Sequence, residues 1–322
     1  MANMSLAEHL GIQPAYSNGS NIGGSSFMMH ALDAAMALEA GLINVAVIAY
    51  GSNQRTAGGF RSISEPPPFE FVYGPRNPIT ASALATSRYM YQYGCTREQL
   101  AEVAVAARKW AQLNPDAFER GDLTIEDVAK ARMISDPLTK LDCCLVTDGG
   151  AAIVMTRADR AKDCPKTPIH LLGAAMEHHH RNISSMRDLT VTATAKSGPR
   201  ALEMAGCKPA DMDTVQVYDA FTINTILFLE DLGYCAKGEG KDFVSGGRIA
   251  PGGELPVNTN GGGLSCVHPG MYGLFVMAEA IRQARGECGD RQVADAKLCL
   301  AHGNGGVLSS QVTSIWGRPE TV

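Results

Sequence analysis

Short apolar runs alternate with stretches of helical period along most of this chain, a pattern of strand–helix units rather than of a bundle or a sandwich. In the later part, strands are expected at Ile169–Ala174, Thr214–Tyr218, Leu255–Thr259, Ala296–Ala301 and Val307–Ser314. Helices are expected at Ala193–Ala205, Asn224–Leu232 and Met271–Ala284. In the earlier part, a strand at Ala15–Asn18 leads to a helix at Ser25–Ala40 and strands at Val45–Tyr50 and Ala151–Thr156. The last four elements of the two blocks agree in type and order, which predicts two similar halves. The opening elements of the later block have no counterpart at the front of the chain, so the first half reads as N-terminally incomplete. A sheet without its opening strands would expose long edges and an uncovered face.

Residues Gly51–Asp148 interrupt the first block. Ser82–Tyr93, Arg97–Asn114 and Leu123–Lys130 carry amphipathic helical patterns, with Thr124 placed to cap the third. Glu65-Pro-Pro-Pro-Phe69 cannot be helix or central strand. The expected organisation is therefore a first half of residues 1–50 with 149–165, a loop domain of 51–148 and a second half of 166–322.

Composition narrows the function. A chain of 322 residues with 45% apolar residues and 34 glycines suits a compact α/β enzyme. The net charge of −5 offers no basic field for nucleic acid. Apolar runs such as Leu42–Tyr50 are far too short to span a bilayer, and Met1–Gln13 is too polar for a signal peptide. The nine cysteines lack metal or disulfide spacing, which favours a reduced, cytoplasmic setting. His178-His-His180 is poorly spaced for a metal, because neighbours on a strand point to opposite faces.

The densest chemical signal is Asn258-Thr-Asn260-Gly-Gly-Gly-Leu-Ser-Cys266-Val-His268-Pro-Gly-Met-Tyr-Gly273. A glycine run before a helix lets backbone approach a ligand closely. His268 is expected at the mouth of that helix, with Pro269 in its first turn. The stretch resembles the Asn-x-x-Gly-Gly…Gly-His-Pro-x-Gly loop of the thiolase superfamily. Tyr218-Asp-Ala-Phe-Thr222, Leu229-Glu-Asp-Leu-Gly233, Leu255-Pro-Val-Asn-Thr259 and Ala301-His-Gly-Asn-Gly-Gly306 are similar to the sterol-carrier-protein/lipid-transfer type. The segments Asp136–Asp142 and Asp148–Ala152 resemble that family's return from loop domain to core. The resemblance runs from about Leu10 to Trp316 and implies a five-layer αβαβα fold of two similar halves acting on acyl-CoA. Coenzyme A would be part of the substrate, with no separate cofactor.

The departures from the family are as informative as the matches. The resemblance implies a nucleophilic cysteine at the start of the first half's central helix, where a helix N-terminus lowers a thiol's pKa. Asn18-Gly-Ser20-Asn-Ile-Gly23-Gly24-Ser25 stands there and holds no cysteine. Aligning Cys-x-x-Gly puts Ser20 at the nucleophile position; counting back from Ala40-Gly41 puts Gly24 there, which needs no extra turn in a buried helix. Ser20 or Ser25 could substitute only with an adjacent base, and Cys266, two residues before His268, could face the pocket in place of the lost thiol. Where the family carries a second acid/base cysteine, this chain has His302, and the Asn or His of the four-residue motif is Tyr218. A thioester Claisen reaction needs the missing nucleophile, whereas a retro-aldol cleavage does not. The pattern is similar to the thiolase-like aldolases that shorten steroid side chains, although His268 stands where those are expected to carry Tyr. The resemblance thus implies Tyr218 as base or donor, His302 as a proton-transfer group, and His268 with Gly24, Ser25, Asn260, Gly305 and Gly306 around the oxyanion. It also implies a homodimer and a small zinc-containing OB-fold partner. An acyltransferase with another nucleophile and a non-catalytic acyl-CoA-binding subunit are the competing readings.

Overall fold

The computed structural model describes residues 2–58 and 69–321. The proline run at Glu65–Pro68 lies outside them. In chain order the elements are α1 (Ala2–His9), α2 (Ser26–Glu39), β1 (Val45–Ser52), α3 (Ile79–Tyr93), α4 (Arg97–Gln112), α5 (Ile125–Lys130), β2 (Met133–Ser135), β3 (Leu138–Thr139) and β4 (Gly149–Thr156). There follow α6 (Ala158–Ala161), β5 (His170–His178), α7 (Thr194–Ala205), β6 (Thr214–Val217), α8 (Thr222–Asp231), α9 (Gly240–Phe243), α10 (Gly273–Arg285), β7 (Leu298–Gly305) and β8 (Ser310–Gly317). No described helix is long and apolar enough to cross a membrane.

Two sheets face each other across a helical layer. β1 and β4 form an antiparallel pair in which Ile48 lies opposite Ile153. Both isoleucines are buried on the side that meets α2. The larger sheet has the order β5-β8-β7-β6, with only β6–β7 parallel. α2 and α10 fill the space between the sheets, and α7 covers the far face of the larger one beside α8. Every residue of α8 is buried, so its apolar side chains pack all round rather than on one stripe. The described residues therefore build sheet, helix, sheet and helix. The outer face of the β1–β4 pair is bare: Val47 and its cross-strand partner Val154 are 50% and 67% exposed.

Local chemistry fixes several boundaries. Thr96 and Gln99 form a reciprocal capping box at the start of α4, and Thr124 does the same with Asp127 for α5, as its sequence predicts. Three expectations need correction. The expected strand Ala15–Asn18 forms no ladder among the described residues, because β1 pairs only with β4. Leu255–Thr259 makes a single bridge, Val257 to Val215. There Asn258 turns to φ 53° and its side-chain oxygen accepts the Val217 amide, replacing the next ladder bond. The last two strands start later than predicted, since Gly306 and Leu308 take φ of 67° and 61° and put the turn inside an apolar run.

Candidate active site

β6 ends by delivering Tyr218 into the layer between the sheets, where its amide still donates to the His302 carbonyl at 2.9 Å. The next residue, Asp219, is fully buried and accepts the amides of Gly263 at 2.6 Å and Leu264 at 3.4 Å. Those bonds hold Gly262–Cys266 as one π-helical turn. The turn has no room for a side chain at its start, because a β-carbon on Gly262 would lie 2.0 Å from the Asp219 carboxylate. Burial pushes the Asp219 carboxyl up to about 7.

The π turn ends in extended backbone at Val267 and presents His268. Pro269 lies ahead of α10 rather than in its first turn, a correction to the expected cap. The returning strand of the loop domain fixes His268 on its other side. Thr147 Oγ1 accepts the His268 amide at 3.0 Å, and the Thr147 amide donates to the His268 carbonyl at 3.2 Å. The same segment donates from Cys144 to Ala220 and from Leu145 to Gly263. The short stretch between the Asp136–Asp142 and Asp148–Ala152 segments thus clamps both site loops.

Tyr218 Oη and His268 Nε2 are 2.9 Å apart. Desolvation lowers the His268 imidazole to about 4 and raises the Tyr218 phenol well above its ordinary value. Both groups are therefore neutral near pH 7. Tyr272 completes an aromatic corner, edge-on to Tyr218 at 5.5 Å and stacked over His268 at 6.3 Å. Its hydroxyl donates to Asn260 Oδ1 at 3.0 Å, which also accepts the Gly262 amide at 2.8 Å. Tyr50 reaches in from β1 and donates to the Pro269 carbonyl at 2.6 Å.

The glycines expected around the oxyanion meet backbone to backbone. Gly24 precedes α2, at whose start the Ser26 amide donates to the Gly23 carbonyl at 3.0 Å and the Met28 amide to the Ser25 carbonyl at 3.1 Å. The Gly24 carbonyl accepts the Gly273 amide at 3.0 Å, joining the starts of α2 and α10. A β-carbon on Gly305 would lie 2.0 Å from the Ile22 carbonyl oxygen, and one on Gly23 2.4 Å from the Gly306 nitrogen. Tyr218 touches both His268 and Gly24. Asn260 joins them through Tyr272, and Gly305 and Gly306 join through Gly23.

Three expected residues do not join them, and a fourth touches only their glycines. His302 is in register with Val217, so its side chain shares the face opposite Tyr218. There it is fully buried and packs on Phe228 of α8. Its ring nitrogens bond Thr194 Oγ1, Thr313 Oγ1 and Gln311 Oε1 at 2.9, 2.9 and 3.0 Å. Burial lowers it to about 3, and a proton-transfer role at this site is withdrawn. Ser25 is also buried and abuts Gly305, where an added β-carbon would lie 2.7 Å from its Oγ, and its hydroxyl is satisfied by Ser310 Oγ at 3.0 Å. Ser20 is exposed and bonds His30 Nε2 at 3.0 Å, with no contact to the Tyr218–His268 pair. Cys266 packs against Ala111 and Ala117, accepts from Asn114 Nδ2 at 3.4 Å, and has its thiol pushed up to about 12 by burial. A thiol held that far toward its protonated form is a poor nucleophile.

Behind these residues, a chain of buried polar groups links the loop domain to the glycine loop. Asn114 Nδ2 donates to the Asn260 carbonyl at 2.9 Å, and Asn114 Oδ1 accepts from Arg291 at 3.3 Å. Arg291 forms a buried ion pair with Glu279 at 3.0 Å. Glu279 in turn accepts the Thr259 hydroxyl at 2.7 Å.

A family model described as thiolase C-terminal domain-like matches residues 175–318. The 17-hydroxy-3-oxo-4-pregnene-20-carboxyl-CoA lyase of Mycobacterium tuberculosis is 34% identical over 286 residues, 82% of this chain and 72% of that enzyme. The chain belongs to the thiolase superfamily. Another member, an acetyl-CoA acetyltransferase of Methanothermobacter thermautotrophicus, is 39% identical over 238 residues, 73% of this chain and 62% of that one. The chain thus spans less than two thirds of that relative's length. Among solved thiolase-like structures, an Ltp2-ChsH2(DUF35) aldolase superposes with a TM-score of 0.89 at 31% identity, covering 98% of this chain and 83% of that one.

Sequence reading missed Tyr272, Tyr50, Asp219 and Asn114. Tyr272 had a signal, since it lies in the His-Pro-Gly-Met-Tyr-Gly run. Tyr50 and Asn114 sit inside ordinary apolar and helical patterns and had none.

Proposed function

We propose that this chain cleaves a carbon–carbon bond in a β-hydroxyacyl-CoA by a retro-aldol reaction. The observation that carries the reading is the hydrogen-bonded pair Tyr218–His268 standing beside a glycine where a covalent mechanism would need a nucleophile. Tyr218 takes the proton of the substrate hydroxyl as its own phenolic proton passes to neutral His268 Nε2. The oxygen's electron pair forms the carbonyl of the departing ketone or aldehyde. The breaking carbon–carbon bond leaves its electrons on the acyl-CoA as an enolate, and its protonation takes back the proton held by the Tyr218–His268 pair, which returns to its neutral state. Amides around Gly24 and Gly305–Gly306 are suited to hold the enolate oxygen, and preorganised donors of this kind supply a large share of such catalysis.

Relatives named lyase and aldolase support a bulky acyl group, of the kind found on a steroid side chain. The solved aldolase carries DUF35 in its name, which supports a DUF35 partner for this chain. A homodimer that covers the bare face of the β1–β4 pair is part of the same proposal.

The test incubates the full-length protein, with and without a DUF35 protein, with a β-hydroxyacyl-CoA and separately with acetoacetyl-CoA plus CoA. A ketone or aldehyde together with a shortened acyl-CoA is the expected product. Thiolysis of acetoacetyl-CoA without retro-aldol cleavage would overturn the reading in favour of an acyltransferase.

A further inference from the structure

Gly24 is not a glycine for conformational reasons. Its φ lies outside the left-handed region that Gly23 next to it occupies at 86°. The reason is space. A β-carbon on Gly24 would lie 2.3 Å from Tyr218 Cε2 and 2.5 Å from both Cζ and Oη. Contacts under 3.0 Å are essentially never made by real β-carbons, so one partner would have to move.

Neither partner is free to move. The Tyr218 ring is buried, edge-on to both Tyr272 and His268, with its hydroxyl bonded to His268. The backbone at residue 24 is held from two sides. Its carbonyl accepts the Gly273 amide, and a β-carbon on Gly273 would already lie 2.3 Å from that oxygen. Gly23 abuts Gly305 and Gly306 on the other side. The phenol therefore occupies the volume that any side chain at position 24 would enter.

We infer that Gly24 and Tyr218 are a mutually exclusive pair that decides the class of reaction at this site. With glycine at 24, the phenol fills the pocket and proton transfer to and from a hydroxyl is available. With a side chain at 24, the phenol is displaced and the Tyr218–His268 bond is broken. A thiol at 24, once the phenol is gone, would sit at the start of α2, where the helix dipole lowers its pKa. The inference rests on the lyase reading for its meaning, but the steric exclusion can be tested without turnover.

The test compares the melting temperatures of the wild type, Gly24→Cys, Tyr218→Ala and the double variant. Peptide-level mass spectrometry then follows iodoacetamide alkylation of the introduced thiol. Tyr218→Ala is expected to recover stability lost to Gly24→Cys, so that the double variant melts above the sum of the two single changes. Alkylation at position 24 should be at least about tenfold faster in the double variant than in Gly24→Cys, as access and thiolate fraction rise together. Additive melting shifts, or a Gly24→Cys protein with wild-type stability, would overturn the inference. If Gly24→Cys does not fold, Gly24→Ala with and without Tyr218→Ala gives the same comparison. Failure of the wild type to cleave any β-hydroxyacyl-CoA would remove the lyase reading while leaving the measured exclusion in place.

Discussion

Tyr218 and His268 share a 2.9 Å hydrogen bond in which neither member carries charge near neutral pH. The pair is thus a route for a proton rather than an ion pair. The phenol alone is far too weak an acid to work as a standing phenolate, and the imidazole beside it supplies the acceptor.

Removing only the phenolic oxygen isolates that role. Tyr218→Phe keeps the ring against Tyr272 and Gly24 and removes one proton-transfer group. Its kcat for retro-aldol cleavage should fall by about 10²–10⁴, with the melting temperature nearly unchanged. Near-normal turnover in this variant would end the proposed mechanism.

His268→Ala should lower kcat through the same step. Because the two residues act as one relay, Tyr218→Phe with His268→Ala should be little slower than the slower single variant. Rate losses that multiply would show that the two act independently.

Acid should weaken the fold through its buried imidazoles. In the unfolded chain both titrate near the ordinary value of about 6.5. In the fold, His268 lies at about 4 and His302 at about 3. Between those values and about 6.5 the unfolded chain binds more protons, so their stabilising contribution is complete above that window and is lost as pH falls through it. His302→Gln should melt lower at every pH, through its lost bonds, yet show a shallower fall in Tm between about pH 7 and 5. An unchanged slope would remove His302 from the account.

Alkylation separates the lyase from the competing acyltransferase. Cys164 is exposed, while Cys266 is buried with its thiol raised to about 12. Iodoacetamide at neutral pH should modify Cys164 first and leave retro-aldol turnover intact. Activity that disappears in step with modification of Cys266 would reinstate a thiol nucleophile.

Much of the frame was legible because it follows from local rules. The helical period and capping threonines mark α4 and α5, and the glycine-rich motif marks the loop that carries His268. What escaped depends on neighbours. Residues 15–18 look extended but pair with no strand among the described residues. Leu308 is apolar and buried yet adopts a positive φ, so a turn hides inside a strand-like run. His302 looks catalytic in its motif, but parallel register with Val217 turns it to the wrong face. Tyr218 and His268 could each be picked out from motifs, whereas their bond, and the crowding of Tyr218 on Gly24, exist only once the chain is folded.

The bridge through Asn114 has a consequence for how this protein can change its substrate. One amide side chain ties the end of α4 to the Asn260 carbonyl and to the Arg291–Glu279 pair. Shifting α4 to enlarge a binding cavity would pull Asn114 away from the Asn260 carbonyl and from buried Arg291, and would tilt the loop that aims His268. A buried polar group left without its partner costs about 1–3 kcal/mol. Evolution of new specificity is thereby steered away from α4. Leu84 and Tyr91 of α3, 47% and 85% exposed, stand outside this bridge.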